Sequence, residues 1–304
     1  MAIGVGIIGL GMATKPHMTS LRELEAIGRT KIVGGFAPSP ERRCAFAEKW
    51  KVRVFDTQDE LLTQPDLDLI LILTTPGTHL PVVEAVAKAG KHIIVEKPVE
   101  VTVSRGEALA KAVKAAGVHC SVCLQHRFRP ASLRLKSILD AGELGPIISA
   151  SASIRWWRDD AYFKSAGRGT KARDGGGVLL TQAIHTLDLL LHLVGPHRDV
   201  AGFAKTSPLR AIDTEDIAAA IRFKNGAIGA IDATTVARPG YPERIELAGT
   251  KGSAVLETFQ LTINRASGAT EIVGTSQSGG GGADPIAFDH GPHKAMIIEM
   301  LNAI

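Results

Sequence analysis

The chain has 304 residues, 45% hydrophobic and 22% charged, which is enough for two domains with a sizeable core and too apolar for a disordered chain. A net charge of +4 does not point to nucleic acid, because Lys and Arg are interleaved with Asp and Glu in no long run, and 5% aromatic content offers few platforms for bases. A small-molecule partner is expected instead.

Met1 runs almost directly into a strand-like segment, without a basic leader, a long apolar stretch or a cleavage site, so the sequence reads as cytoplasmic. Short apolar runs then alternate with helical patterns. Strands are predicted over Val5–Ile8, Lys31–Phe36, Leu69–Leu73, His92–Val95 and Val118–Cys123, and helices over Ala13–Ile27, Pro40–Trp50, Pro81–Ala89 and Ser104–Ala116. Gly28, Gly90 and Gly117 stand where three of these helices should stop. The alternation predicts an α/β Rossmann dinucleotide-binding domain over residues 1–124.

Residues 125–304 read differently, as an α+β domain. A helix is expected around Ser132–Ala141, a long strand over Ile147–Trp157, and alternating strands over Ile217–Phe223, Ala227–Ala233 and Arg244–Ala248, separated by turn signals such as Asn225-Gly226. Between them runs Gly175-Gly176-Gly177 followed by Val178 to Val194. On one continuous helix Thr181, His185, Asp188 and His192 would share a stripe within about 60°, opposite Leu180, Ile184, Leu187 and Leu191. Two readings stand for that stripe: an active-site face, or satisfied polar groups on a half-buried helix. The same four polar positions make this stretch a poor membrane span, and no membrane role is expected.

Cys120-x-x-Cys123 has the spacing of a redox pair or half a zinc site, but on a strand residues three apart face opposite ways at about 10 Å, beyond disulfide reach. Buried structural thiols are expected. Ser276 to Gly282 reads as a Gly/Ser surface loop. Asp289-His290-Gly-Pro-His293 lacks a cysteine or clustered carboxylate to complete a metal site, and no metal is expected.

Gly9 and Gly11, with Met12 and Ala13, join the first strand to the first helix. There the glycines admit a pyrophosphate against the helix N-terminus, with Thr14 in place of the usual third glycine. At the end of the second strand, Ala37 stands where an acid would take the ribose 2′-hydroxyl. Ser39, Arg42 and Arg43 follow, which suits a 2′-phosphate and leans the cofactor towards NADP over NAD; the competing reading is two solvated helix arginines.

The Glu96-Lys97-Pro98 turn, the Thr74-to-His79 segment, the glycine turn and the Gly175-to-Asp188 run together resemble the glucose-fructose oxidoreductase/inositol dehydrogenase (Gfo/Idh/MocA) family. The resemblance implies a second domain with a large, mostly antiparallel sheet that binds substrate and supports a homo-oligomer. It implies a cis Lys97-Pro98 bond and cofactor contacts from Thr75, Pro76, His79, Glu96, Lys97 and Gln125. Lys97 matches the lysine at the reacting oxygen and His185 the acid/base histidine, with the two converging on one substrate oxygen; Thr181 stands where many relatives have Asp. Asp188 either orients the imidazole or is structural. Arg127, Trp157, Arg168 and the Gly167-to-Thr170 segment match possible substrate contacts. Relatives continue beyond the stretch matching Pro292 to Ile304, so the sequence is expected to lack a C-terminal end.

The implied activity is NAD(P)-dependent hydride transfer at a secondary alcohol or carbonyl of a sugar, polyol or related compound. An imidazole to take the hydroxyl proton and an ammonium to stabilise alkoxide character fit that chemistry. The alternatives are a transient-redox lyase or hydrolase, or a non-catalytic dinucleotide-binding regulator.

Overall fold

The structure is a computed structural model that describes residues 2–164, 168–206, 216–276 and 289–304. The chain divides into two compact units, Met1–Cys123 with Phe288–Ile304, and Leu124–Ala287.

In the first unit the order is β1 (Ile3–Ile8), α1 (Thr14–Ala26), β2 (Thr30–Phe36), α2 (Pro40–Trp50), α3 (Gln58–Leu62), β3 (Leu69–Ile72), α4 (His79–Lys88), β4 (His92–Val95), α5 (Val103–Ala116) and β5 (Cys120–Val122). The five strands form a parallel sheet in the order β2-β1-β3-β4-β5. Its central strands are buried on both faces, which is why β3 reads Leu-Ile-Leu-Ile without alternation. Ile8, Ile70, Ile72, Ile93 and Val95 pack with Val83 and Val86 of α4. Thr57 and Glu60 close a capping box on α3, which the sequence reading missed.

The last helix, numbered α11 in chain order and spanning Gly291–Ala303, belongs to this unit rather than to the second domain of residues 125–304 expected from sequence. Its apolar stripe is the reason. Met296, Ile297, Met300 and Leu301 are buried, and Ser20 on α1 donates to the His290 carbonyl at 3.3 Å.

The second unit contains α6 (Pro130–Asp140), β6 (Ile147–Arg155), α7 (Asp160–Phe163), α8 (Lys171–Asp174), α9 (Val178–Thr181) and α10 (Ile184–Val194). It continues with β7 (His197–Lys205), β8 (Asp216–Phe223), β9 (Ile228–Thr234), β10 (Arg244–Gly249), β11 (Gly252–Glu257), β12 (Gln260–Arg265) and β13 (Thr270–Val273). The eight strands lie in the order β13-β12-β11-β10-β6-β9-β8-β7, antiparallel except for β6 with β9. Leu189, Leu190 and Leu193 of α10 pack with Ala150, Ala152 and Ile154 on one face of this sheet. Its other face carries Phe203, 87% exposed, and Ile228, 60% exposed.

The continuous helix expected from Val178 onward is instead two. The Val178 carbonyl accepts from Gln182 at 3.1 Å and from Ala183 at 2.8 Å, and the second bond slips the ladder by one residue before α10 begins. The single-helix angle between Thr181 and His185 therefore does not apply. Among the described residues no helix is long and apolar enough to cross a membrane. No disulfide links Cys44, Cys120 and Cys123; Cys123 is buried, Cys120 half-buried and Cys44 exposed.

Candidate active site

The turn after β1 is shaped for an anion. Gly9 has φ +99°, and a Cβ there would lie 2.6 Å from the Leu73 carbonyl carbon, so only glycine fits. A Cβ on Gly11 would meet nothing within 4 Å, so the backbone there borders open space. Ala13, at the N-cap of α1, supplies no side-chain cap, and the first turn has no acidic residue. The positive end of the helix is left for a ligand. With exposed Met12 beside it, this turn fits a dinucleotide pyrophosphate.

Ala37 is buried beyond the end of β2. Ser39 caps α2, accepting from the Arg42 amide at 3.2 Å and donating to Glu41 at 2.6 Å. Arg43 is held by the Ala37 carbonyl at 2.8 Å and by Asp56 at 3.0 Å, whereas Arg42 is exposed. Thr75 and Pro76 open a short 3₁₀ turn after β3. His79 departs from its expected place at the cofactor. It is fully buried, with Nδ1 3.0 Å from the Pro98 carbonyl and Nε2 3.2 Å from the Thr74 carbonyl, so its ring ties two turns together.

β4 delivers Glu96, Lys97 and Pro98, and the Lys97-Pro98 bond is cis. Lys97 is half-buried. Glu96 accepts from His17 Nε2 at 2.8 Å and from the Lys97 amide at 3.1 Å. Burial works to raise its carboxyl, but the hydrogen bond and charge of His17, followed by the charge of Lys97, outweigh burial and hold it well below the usual carboxylate range. Cys123 Sγ lies 4.0 Å from His17 Nε2, and burial together with the Glu96 charge pushes its thiol well up. His293 from α11 meets the His17 ring edge-on at 5.1 Å, and burial with the His17 charge pushes it down to about 4. Glu100 fixes the far end of the turn, accepting from the Leu80 and Val101 amides and from Arg105.

In the second unit His185 lies in the first turn of α10, buried, and stacks on His126 with centroids 4.6 Å apart and planes 26° apart. His126 Nε2 accepts from Arg129 at 2.6 Å, and Arg129 donates to Glu243 at 2.8 Å. Asp188, one turn beyond His185, forms an ion pair with Arg127. Its two oxygens accept from Arg127 Nε at 2.7 Å and Nη2 at 2.5 Å, which also commits the arginine expected at the substrate.

Thr181 donates towards the Gly177 carbonyl at 2.8 Å and also contacts Gln182, whose amide donates to the Tyr162 hydroxyl at 3.2 Å. Arg168 lies over the Tyr162 ring at 4.7 Å, and Arg238 over Trp157 at 4.2 Å, while Trp156 is buried. Gln125 begins the 3₁₀ turn Gln125–Phe128. Gly167 and residues 277–282 of the Gly/Ser stretch lie outside the described residues. Sequence reasoning missed Arg129 and Glu243, which are 114 residues apart and leave no local signal.

Residues 3–124 match the family model for oxidoreductases with an NAD-binding Rossmann fold, and residues 132–255 match the GFO/IDH/MocA C-terminal domain. The chain is 30% identical over 268 residues to the uncharacterized oxidoreductase YrbE of Bacillus subtilis, covering 86% of this chain and 75% of that protein. It is 28% identical over 272 residues to myo-inositol 2-dehydrogenase of Thermotoga maritima, covering 85% and 76%. Levoglucosan dehydrogenase solved with NADH and levoglucosan superposes with a TM-score of 0.86 at 26% identity, covering 99% of this chain and 88% of that one.

Fold and glycine turn together define a nicotinamide-dinucleotide oxidoreductase. The chain belongs to the Gfo/Idh/MocA family.

Proposed function

We propose that the protein interconverts a secondary alcohol and a carbonyl on a sugar, polyol or related small hydroxylated substrate, with Lys97 and His185 as its catalytic residues. The observation that carries this reading is the buried His185 ring, fixed by α10 and by the stacked His126. In the oxidising direction an imidazole nitrogen of His185 takes the hydroxyl proton, and the Lys97 ammonium donates to the oxygen as it gains negative charge. The bound nicotinamide supplies the acceptor for the hydride leaving carbon, or its donor in reverse.

Thr181 has its one hydroxyl proton directed within its own segment, so towards a substrate it acts as an acceptor. Trp157 and Arg168 border the substrate in this reading, and Arg127 acts through its hold on Asp188. Gly9, Gly11, Met12 and Ala13 hold the pyrophosphate, and Thr75, Pro76, Glu96, Lys97 and Gln125 border the rest of the dinucleotide. Ala37, Ser39 and Arg42 face the adenosine ribose, which leans selection towards NADP.

The open face of the second unit's sheet takes a second copy of the chain. Phe203, Ala201, Ala218, Ala220, Ile228 and Ala230 give it apolar and small side chains, set among the exposed Asp199–Arg222 and Arg155–Asp232 ion pairs.

A panel of pyranoses, inositols and sugar acids with both cofactors, read by nicotinamide absorbance, tests the activity. Sustained turnover with at least one polyhydroxylated alcohol is expected. Binding of dinucleotide with no net absorbance change across the panel would overturn net redox chemistry.

A further inference from the structure

Beneath the turn that carries Lys97, four side chains from four separate elements point at one spot. They are His17 from α1, Glu96 from the end of β4, Cys123 just beyond β5 and His293 from α11, and one donor atom of each lies within 4.8 Å of all the others. His17 and Cys123 are fully buried, His293 is 5% exposed, and the Glu96 side chain is 15% exposed. Both histidines also have an Nδ1 that is buried without a hydrogen-bond partner. Of the Asp289-to-His293 motif only His293 reaches this place, because His290 is turned to Glu23 at 2.7 Å.

We propose that the first unit holds one structural Zn²⁺ through His17, Glu96, Cys123 and His293. Two imidazoles, a thiolate and a carboxylate suit zinc, whereas calcium and magnesium require sets of oxygen ligands. Bonds of about 2.0–2.3 Å to a tetrahedral ion set ligand-to-ligand edges of about 3.3–3.6 Å. The present separations of 2.8 Å for His17 to Glu96 and 4.0 Å for His17 to Cys123 straddle that range, so sub-ångström shifts of the side chains complete the shell. Thiolate and carboxylate together cancel the dication, which makes the loaded cluster neutral where it is buried.

Four protein donors leave no open position for water, so the ion would be structural. It would join α11 to α1 and to the ends of β4 and β5, and would brace the turn bearing Lys97. Neither the sequence spacing nor the proposed hydride transfer requires this site. Its donors come together only in the folded unit, from positions 17, 96, 123 and 293.

The test uses untagged full-length protein carrying Cys44→Ala, so that the exposed thiol does not contribute metal. Protein purified from zinc-supplemented cells should contain close to one zinc per chain by elemental analysis. After chelation, Co²⁺ should restore the visible bands of tetrahedral cobalt with a thiolate-to-cobalt charge-transfer band, and excess Zn²⁺ should raise Tm by roughly 5 °C.

Cys123→Ala should abolish the charge-transfer band. His293→Gln should weaken zinc at least 100-fold, beyond the ~10–100-fold typical of outer-shell changes. Folding of each variant is checked by the Tm of the metal-free form, and a variant that fails is replaced by Cys123→Ser or His293→Asn. Substoichiometric zinc together with no thiolate–cobalt band and no zinc-dependent Tm shift would overturn the site and leave a metal-free polar cluster.

Discussion

His126 lies nearly flat against His185, centroids 4.6 Å apart, while Arg129 donates to His126 Nε2 from its other side. Because a guanidinium only donates, His126 must accept at Nε2, which keeps that ring neutral. A neutral stacked partner adds no charge to oppose a proton arriving on His185, and Glu243 offsets the charge of Arg129. His185→Ala should therefore lower kcat by roughly 10²–10⁴-fold with little change in cofactor affinity. His126→Ala should lower kcat by about tenfold, the scale of a lost aromatic pair, and His126→Phe should recover most of it. Steady-state kinetics with cofactor titration checks both, and near-normal turnover in His185→Ala removes it from the mechanism.

Lys97 should behave differently, because it leaves the carboxyl end of a parallel strand, where open α/β sheets bind their ligands. Lys97→Ala should reduce kcat by roughly 10²–10³-fold, the worth of one donor to a developing oxyanion, and weaken cofactor binding by roughly tenfold. Fluorescence titration separates the two effects. A variant with intact cofactor affinity would confine the lysine to the substrate oxygen.

The first unit was legible because its code is local: alternating elements, and glycines at the turn and helix ends. The site was legible only in part. One-turn spacing left Asp188 either orienting His185 or structural, and it could not show that Arg127, 61 residues upstream, gives that carboxylate a two-pronged charged donor. Helical periodicity likewise cannot show that the Val178 carbonyl will take a second amide and break the stripe. The stripe on α11 announced that this helix packs, and not what it packs against. Its burial with α1 depends on the whole chain returning to the first unit.

Cofactor selection should depend on Arg42 more than on Arg43, since Arg43 already binds Asp56 and the Ala37 carbonyl. Arg42→Ala should weaken NADP binding by roughly tenfold and leave NAD nearly unchanged, as expected for one charged contact to a 2′-phosphate. Binding titrations with both cofactors give the ratio. Tighter binding of NAD than NADP by the unaltered protein would show that the 2′-phosphate has no place here.

The thiols should be chemically distinct. Burial pushes Cys120 up to about 11, so at pH 8 only about a thousandth of it is thiolate, the reactive form. Since its folded value is raised, the thiolate fraction climbs about tenfold per pH unit until pH nears 11. Cys44 is exposed and should be alkylated first. Mass spectrometry after timed alkylation at pH 7 to 9 follows each site, and equal rates for Cys44 and Cys120 at pH 8 would contradict the burial of Cys120.

The apolar sheet face provides the last expectation. Phe203 on β7 pairs with Ala218 on β8, and β8 pairs in turn with β9, which carries Ala230 and Ile228, so the aromatic ring stands on a surface of small side chains. Such a face costs solvent exposure in a monomer and packs closely against a copy of itself across a two-fold axis. A charge at its most exposed position would have to be stripped of water in that interface, at a cost of several kcal/mol. Phe203→Glu should therefore dissociate the oligomer, while the parallel sheet of the first unit continues to bind dinucleotide. Sedimentation velocity and cofactor titration read the two outcomes. If the unaltered protein sediments as a monomer at micromolar concentration, the face does not serve self-association.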